Sequence, residues 1–97
     1  MAGMTLEMAE MIGDYQKKSQ FIEDSLNDLI QQRLISPNVI EENNVRLILK
    51  TNRNNLDLLD ASIWEGVKIS RMTFWFLKKT VDKNLKTVES MLKRKVF

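Results

Sequence analysis

The second half of the chain carries a regular stripe of apolar side chains. They recur at steps of three and four residues from residue 56 onward, and only Ser70 interrupts them. Such spacing lies on one face of a helix, whereas a strand requires strict alternation. It predicts one long helix over about 55–95, or two collinear ones. The stripe consists of Leu56, Leu59, Ile63, Val67, Phe74, Leu77, Val81, Leu85, Val88 and Leu92.

A second apolar face occupies the first third of the chain and predicts a helix over about 4–34. Its members are Met4, Met8, Met11, Tyr15, Ile22, Leu26 and Leu29. Ser36 and Pro37 follow, and they suit the N-cap and the first position of a new helix. We therefore expect a turn at 35–37 and a helix at about 38–51. The polar stretch 52–55 predicts a break as readily as continuation, because asparagine competes for its own backbone.

Together these elements predict a single all-α domain over 1–97. Its form would be a helical hairpin or small bundle with a long amphipathic C-terminal helix. One alternative stays open around Gly66, which weakens a helix. The β-branched and aromatic residues that follow it also suit strands, so an N-terminal helical hairpin with C-terminal strands is the second prediction.

Composition narrows the functional classes. Among its 97 residues the chain has no cysteine and no histidine, and it has no glycine-rich phosphate loop. It thus lacks the commonest general base and the usual soft metal ligands, so we expect no enzyme, no cofactor, no metal and no small-molecule substrate. No apolar run approaches the roughly 20 residues that span a bilayer. A soluble protein of the cytoplasm or nucleus is the expectation.

Charge is unevenly distributed. Residues 1–44 carry three basic and eight acidic side chains, a net −5, and residues 45–97 carry twelve and five, a net +7. Opposite halves of this kind attract each other when they pack together. The C-terminal cations are either a solvated surface or a contact for phosphates or an acidic partner, and nucleic acid is one such partner. They are Lys78, Lys79, Lys83, Lys86, Lys93, Arg94 and Lys95.

Residues 21–37 resemble the first helix and turn of the small (gamma) subunit of the general transcription factor TFIIA. The shared pattern is a Ser-Leu pair, a Leu-Ile pair and then Ile35, Ser36 and Pro37 where the family has Ile-Thr-Pro. Gly66 and Trp75 are similar to a glycine and a tryptophan of the family's β-barrel half. The resemblance implies a helical bundle with a large subunit and strands at 67–77 that contact TATA-binding protein and DNA.

A shorter resemblance concerns Trp64, Glu65 and Gly66. They are similar to the Trp-x-Gly signature of small helical-hairpin proteins secreted by Gram-positive bacteria. In that family the signature lies in the turn between two helices, whereas the turn predicted here is at 35–37. This resemblance implies a small secreted helical hairpin or a secretion chaperone.

The leading functional prediction is a non-enzymatic helical subunit or adaptor that binds a protein partner or a second copy through the apolar stripe. We expect the adjacent aromatic residues to anchor the interface, because three successive side chains of a helix cannot all face one core. The residues predicted to bind the partner are Leu56, Leu59, Ile63, Val67, Phe74, Trp75, Phe76, Leu77, Val81, Leu85, Val88 and Leu92.

Overall fold

The computed structural model describes residues 6–93, which form four helices: α1 (Leu6–Gln31), α2 (Pro37–Glu42), α3 (Val45–Trp64) and α4 (Arg71–Lys93). No strand occurs within this range. The all-helical prediction is confirmed, and the alternative with C-terminal strands is wrong for the described residues. The three-and-four spacing continues through the start of α4, so Phe74 and Leu77 share one buried face. The predicted helix ends at 4–5 and 94–95 lie outside the described residues.

The three long helices form an up-down-up bundle about 50 Å long. Gln16, in the first half of α1, donates a hydrogen bond to Asp60 near the end of α3, and the two helices run antiparallel. The rings of Tyr15, in the first half of α1, and Phe74, in the first turn of α4, lie 6.3 Å apart, and these two helices run parallel. Helix α1 packs along both partners, whereas α3 and α4 contact each other far less.

The predicted turn between the first two helices is present, although the first helix ends earlier than residue 34. Arg33 adopts a positive φ of 54°, which stops α1. Ser36 then caps α2, because its Oγ accepts a hydrogen bond from the Val39 amide at 3.3 Å, and Pro37 occupies the first turn. Helix α2 is much shorter than the predicted helix over 38–51, since a turn at Asn43 and Asn44 separates it from α3.

No break occurs at 52–55, which lie inside α3. The reason is that two of these polar side chains, Asn52 and Arg53, bond to the neighbouring helix and do not compete for their own backbone. Asn52 is buried and its Nδ2 donates to the Ser19 carbonyl oxygen of α1 at 2.6 Å. The guanidinium of Arg53 donates to the Glu23 carboxylate, also at 2.6 Å. These contacts hold α3 against α1 where the sequence suggested a kink.

The break falls instead at 65–70, so the prediction of one helix over 55–95 is wrong. Gly66 adopts a φ of +69°, a left-handed conformation that glycine takes without steric penalty. The chain then reverses, and the Oγ of Ser70 accepts a hydrogen bond from the Thr73 amide at 3.2 Å, which caps the start of α4. Gly66 and Ser70 therefore separate two antiparallel helices.

The interior divides into two clusters of buried apolar side chains. The large cluster lies where α1 ends, α3 begins and α4 ends, and it comprises Ile22, Leu26, Leu29, Ile35, Val45, Ile48, Val81, Val88 and Met91. The small cluster lies at the opposite end and comprises Ile12, Tyr15, Leu59, Phe74 and Leu77. Buried Ser19 and Asn52 lie between the two clusters along α1 and α3. None of the described helices is both long and apolar enough to cross a membrane.

Candidate interaction surface

Most of the apolar stripe lies inside the bundle. Six of the residues predicted to bind a partner are buried against other helices of the same chain, namely Leu56, Leu59, Phe74, Leu77, Val81 and Val88. Ile63, Leu85 and Leu92 are half-buried at the edges of the clusters. Because the stripe folds back on itself at 65–70, these side chains form the internal core. Of the predicted interface residues, this leaves exposed only Val67, Trp75 and Phe76.

The aromatic run at the start of α4 divides between inside and outside. Phe74 points inward and packs against Tyr15. Trp75 and Phe76 point outward, are 57% and 60% exposed, and contact each other edge to face with ring centroids 5.8 Å apart. The Lys79 ammonium lies over the Trp75 ring at 4.6 Å from its centroid, within the range of a cation–π contact. The expectation that these aromatics cannot all face one core agrees with this arrangement.

Exposed large apolar side chains concentrate at the end of the bundle that holds the small cluster. Apart from Phe21 and Leu47, those in the described residues lie on the first turn of α1, the 65–70 connection and its flanks, and the first two turns of α4. They are Leu6, Trp64, Val67, Met72, Trp75 and Phe76. Isolated exposed hydrophobics are normal on a soluble surface, but a group gathered at one end is typical of an interaction site.

A groove of about 330 Å³ runs between α3 and α4 next to this group. It exists because α3 and α4 are held mainly by α1 and barely contact each other. Its lining contains no charged side chain and combines apolar with small polar groups. The lining residues, which define the α3–α4 groove, are Thr51, Asn55, Leu58, Met72, Thr73, Phe76, Leu77 and Thr80.

The predicted basic face divides into two groups. Lys78 lies in the cleft between α1 and α4, together with Glu7, Glu10 and Asp14. Lys79, Lys83 and Lys86 lie exposed on the solvent side of α4. These three form no ion pair with any residue in 6–93. Lys93 is exposed in the last turn of α4, where a cation favours the helix dipole, and Arg94 and Lys95 lie outside the described residues.

The charged groups that do pair hold the helices together on the side away from the groove. Lys18 bridges Asp14 at 3.2 Å and Asp82 of α4 at 3.6 Å, and its hydrogen bond with Asp14 raises the pKa of the lysine. The hydrogen bond with Glu23 likewise raises the pKa of Arg53. The pair of Arg53 with Glu23 joins a cation of α3 to the acidic α1, as the opposite charges of the two halves predict, whereas the pair of Lys18 with Asp82 has the reverse polarity.

Sequence reasoning missed Met72, Trp64 and most of the groove. Met72 lies three and four residues before Trp75 and Phe76, so a helix that begins at Arg71 would have placed it beside them. The groove depends on how two helices sit side by side, which periodicity alone does not determine. Among residues 6–93, no group of acidic residues is arranged to hold a metal ion.

Comparison of the chain with protein-family models, with curated proteins and with solved structures returns no match in any of the three.

Proposed function

We propose that this chain is a non-enzymatic helical subunit that binds a protein partner through the α3–α4 groove and the exposed apolar side chains beside it. The observation that carries the proposal is the exposure of Met72, Trp75 and Phe76 next to the groove. Aromatic residues and methionine are enriched at protein interfaces, and aromatic anchors contribute much of their binding energy.

The chemistry of the chain supports a binding role over catalysis. A catalytic site needs a nucleophile, an acid or base and a group that stabilises charge, held in mutual reach. The sequence contains no histidine, the commonest general base, and no cysteine, a common nucleophile. The lack of cysteine fits a reducing compartment, so we infer an intracellular location.

Site-specific photocrosslinking tests the proposal. A photoreactive phenylalanine analogue replaces Phe76 in the groove or, as a matched control, Phe21, which is 46% exposed on α1. In cells of the native source we expect a discrete adduct with one protein from position 76 and none from position 21. Equal adducts from both positions, or none from position 76, would overturn the proposal.

A second candidate is a small secreted helical hairpin. The observation that favours it is the position of Trp64 and Gly66 at the turn between antiparallel α3 and α4, which is where that family carries its signature. If this candidate holds, Trp64→Ala reduces export of the tagged chain from a Gram-positive host that secretes such proteins, while Trp75→Ala leaves export unchanged. Unchanged export of both variants would exclude it.

The transcription-factor alternative has weaker support. The helix and turn that it implies for 21–37 correspond to the end of α1 and the turn before α2. The strands that it implies for 67–77 are not formed, because 67–70 are a connection and 71–77 belong to α4. This alternative therefore ranks below the other two.

A further inference from the structure

We infer that the α3–α4 groove binds an acidic amphipathic helix of the partner and that this helix completes a four-helix bundle. The inference rests on the proposed function and names the kind of partner. Three observations carry it: an open side of the bundle, an uncharged groove lining and nearby cations that form no ion pair within the described residues.

The open side has the shape that a helix fits. Bundles are built from helices that each pack against two neighbours, and here α1 packs against both α3 and α4 while those two barely touch. A fourth helix in the groove would contact α3 and α4 as α1 does from the other side. Leu58, Thr73 and Thr80 are only half-buried in its absence.

The lining of the groove carries no charge along its length and combines large apolar side chains with threonine and asparagine. Phe76 and Met72 are exposed at 60% and 72% and supply large apolar surfaces, while Leu77 below them is buried. In a chain with 29% charged residues, a strip of this length without a charge is unusual for a solvated surface. An apolar helix face laid over Phe76 and Met72 removes their side chains from water.

The edges of the groove select the sign of the partner's charge. On α4, Lys79 and Lys83 each lie three residues beyond a groove residue, Phe76 and Thr80, so each lies on the same side of the helix about one turn further on. On α3, Lys50 immediately precedes the groove residue Thr51 in sequence, is exposed and forms no ion pair within the described residues. Carboxylates on both flanks of an incoming helix would meet these ammonium groups.

A membrane surface explains the same side chains less well. Lipid headgroups contact a convex, outward-facing surface, so Trp75 and the outer lysines would serve such a role. The uncharged strip between α3 and α4, with its half-buried threonines, is recessed and has no purpose there. The groove therefore favours a helix.

Binding of a designed peptide tests the inference. The probe is a labelled amphipathic helix of about 18 residues, with leucine at the a and d positions and glutamate on both flanks. Its control has lysine at every glutamate position. We expect the glutamate peptide to bind at least about tenfold more tightly than the lysine peptide at low salt, and the difference to shrink as salt rises.

Two matched pairs of variants locate the binding site. Phe76→Ser should weaken binding by about tenfold or more, and Trp75→Ser by less than about threefold, because only Phe76 lines the groove. Lys83→Glu should weaken binding far more than Lys17→Glu, which changes the net charge equally but lies on α1. Unchanged far-ultraviolet circular dichroism and thermal midpoint confirm that each variant is folded.

Several outcomes would overturn the inference. One is equal affinity for the two peptides, and another is equal loss from Phe76→Ser and Trp75→Ser. A third is that the chain binds phosphatidylglycerol vesicles and that Phe76→Ser and Trp75→Ser both abolish this binding. That result would identify a lipid surface as the partner. If position 76 crosslinks a discrete protein through a segment that is not an acidic helix, the inference fails and the proposed function stands.

Discussion

The two ends of the bundle are built differently. The large cluster joins residues from α1, α3, α4 and the turn after α1, and seven partly buried apolar side chains cover it. The small cluster has five buried members and five partly buried ones packed against it, and most of the exposed large apolar side chains of the described chain surround it. One end thus contributes most of the burial that stabilises the fold, and the other leaves apolar surface for a partner.

The largest expected effect compares the same substitution at the two ends. Leu26 in the large cluster and Leu59 in the small cluster are both fully buried. Truncation of a buried leucine to alanine costs about 2 to 5 kcal/mol, with the higher values where neighbours cannot collapse into the cavity. We expect about 4 kcal/mol for Leu26→Ala and about 2 to 3 kcal/mol for Leu59→Ala, because the small cluster borders solvent and relaxes more easily.

Urea unfolding followed by circular dichroism measures the loss of unfolding free energy in each of the two variants. The same slope of unfolding free energy against urea concentration shows that the two variants unfold from comparable native states. If Leu59→Ala were as costly as Leu26→Ala, the proposed difference between the two ends would be wrong.

The second prediction concerns the polar residues between the clusters. Asn52→Ala removes a buried hydrogen bond to the Ser19 carbonyl and leaves a cavity, so the free energy of unfolding should fall by about 1 to 3 kcal/mol. Ser19→Ala is the matched control. The Ser19 hydroxyl is buried and has no hydrogen-bond partner in 6–93, so its removal should leave stability unchanged or raise it by up to about 1 kcal/mol.

Thermal or urea unfolding shows directly whether each substitution lowers or raises the free energy of unfolding. Loss of stability in Ser19→Ala similar to that in Asn52→Ala would mean that the serine hydroxyl makes a bond of its own. In that case the layer between the clusters would hold them together through both side chains.

The third prediction uses two glycines with opposite expectations. Gly66 terminates α3 at the exposed end with a φ of +69°, and an alanine there would be strained by about 1 to 2 kcal/mol. Gly13 lies within α1, where an added Cβ meets no atom within 4 Å, so Gly13→Ala should raise stability by about 0.5 to 1 kcal/mol. Unfolding curves of the two variants should therefore shift in opposite directions. Stabilisation by Gly66→Ala would contradict the assignment of the turn, and destabilisation by Gly13→Ala would contradict the open space at that position.

Periodicity predicted the helical class and the inner faces but not the point where the chain reverses. Ile63 and Phe74 are 11 residues apart, close to three helical turns, with Val67 and Ser70 at intermediate helical steps. A continuous helix and two helices folded back on each other therefore give the same pattern. Gly66 and Ser70 were the local signals for the turn, since a glycine often follows a helix and a serine often precedes one.

The candidate site was predictable only in part. The exposure of Trp75 and Phe76 follows from the run of three aromatic residues on a helix, because the residues next to buried Phe74 must point outward. The groove does not follow, since its lining alternates between two helices whose lateral separation is set by how each packs on α1. The asparagines at 52–55 suggested a break in the helix that does not occur. The reason is similar, because Asn52 makes a tertiary contact with α1 that the local sequence does not reveal.

The smallest expected effect reports on whether the small cluster is dry. Tyr15 is the only tyrosine of the chain, and its pKa is raised above 10.0 by burial first and by the nearby carboxylates of Asp82 and Asp14 second. A raised pKa means that the folded state keeps the proton longer than the unfolded state. The stability that this contributes is therefore present below pH 10 and is lost as the pH rises through the folded pKa.

Tyrosinate absorbance should show a higher midpoint in the native protein than in urea, and Asp82→Asn should lower the native midpoint more than Asp14→Asn. Coincident native and urea midpoints would mean that water reaches the phenol, and the small cluster would then be open at its centre as well as around its edge.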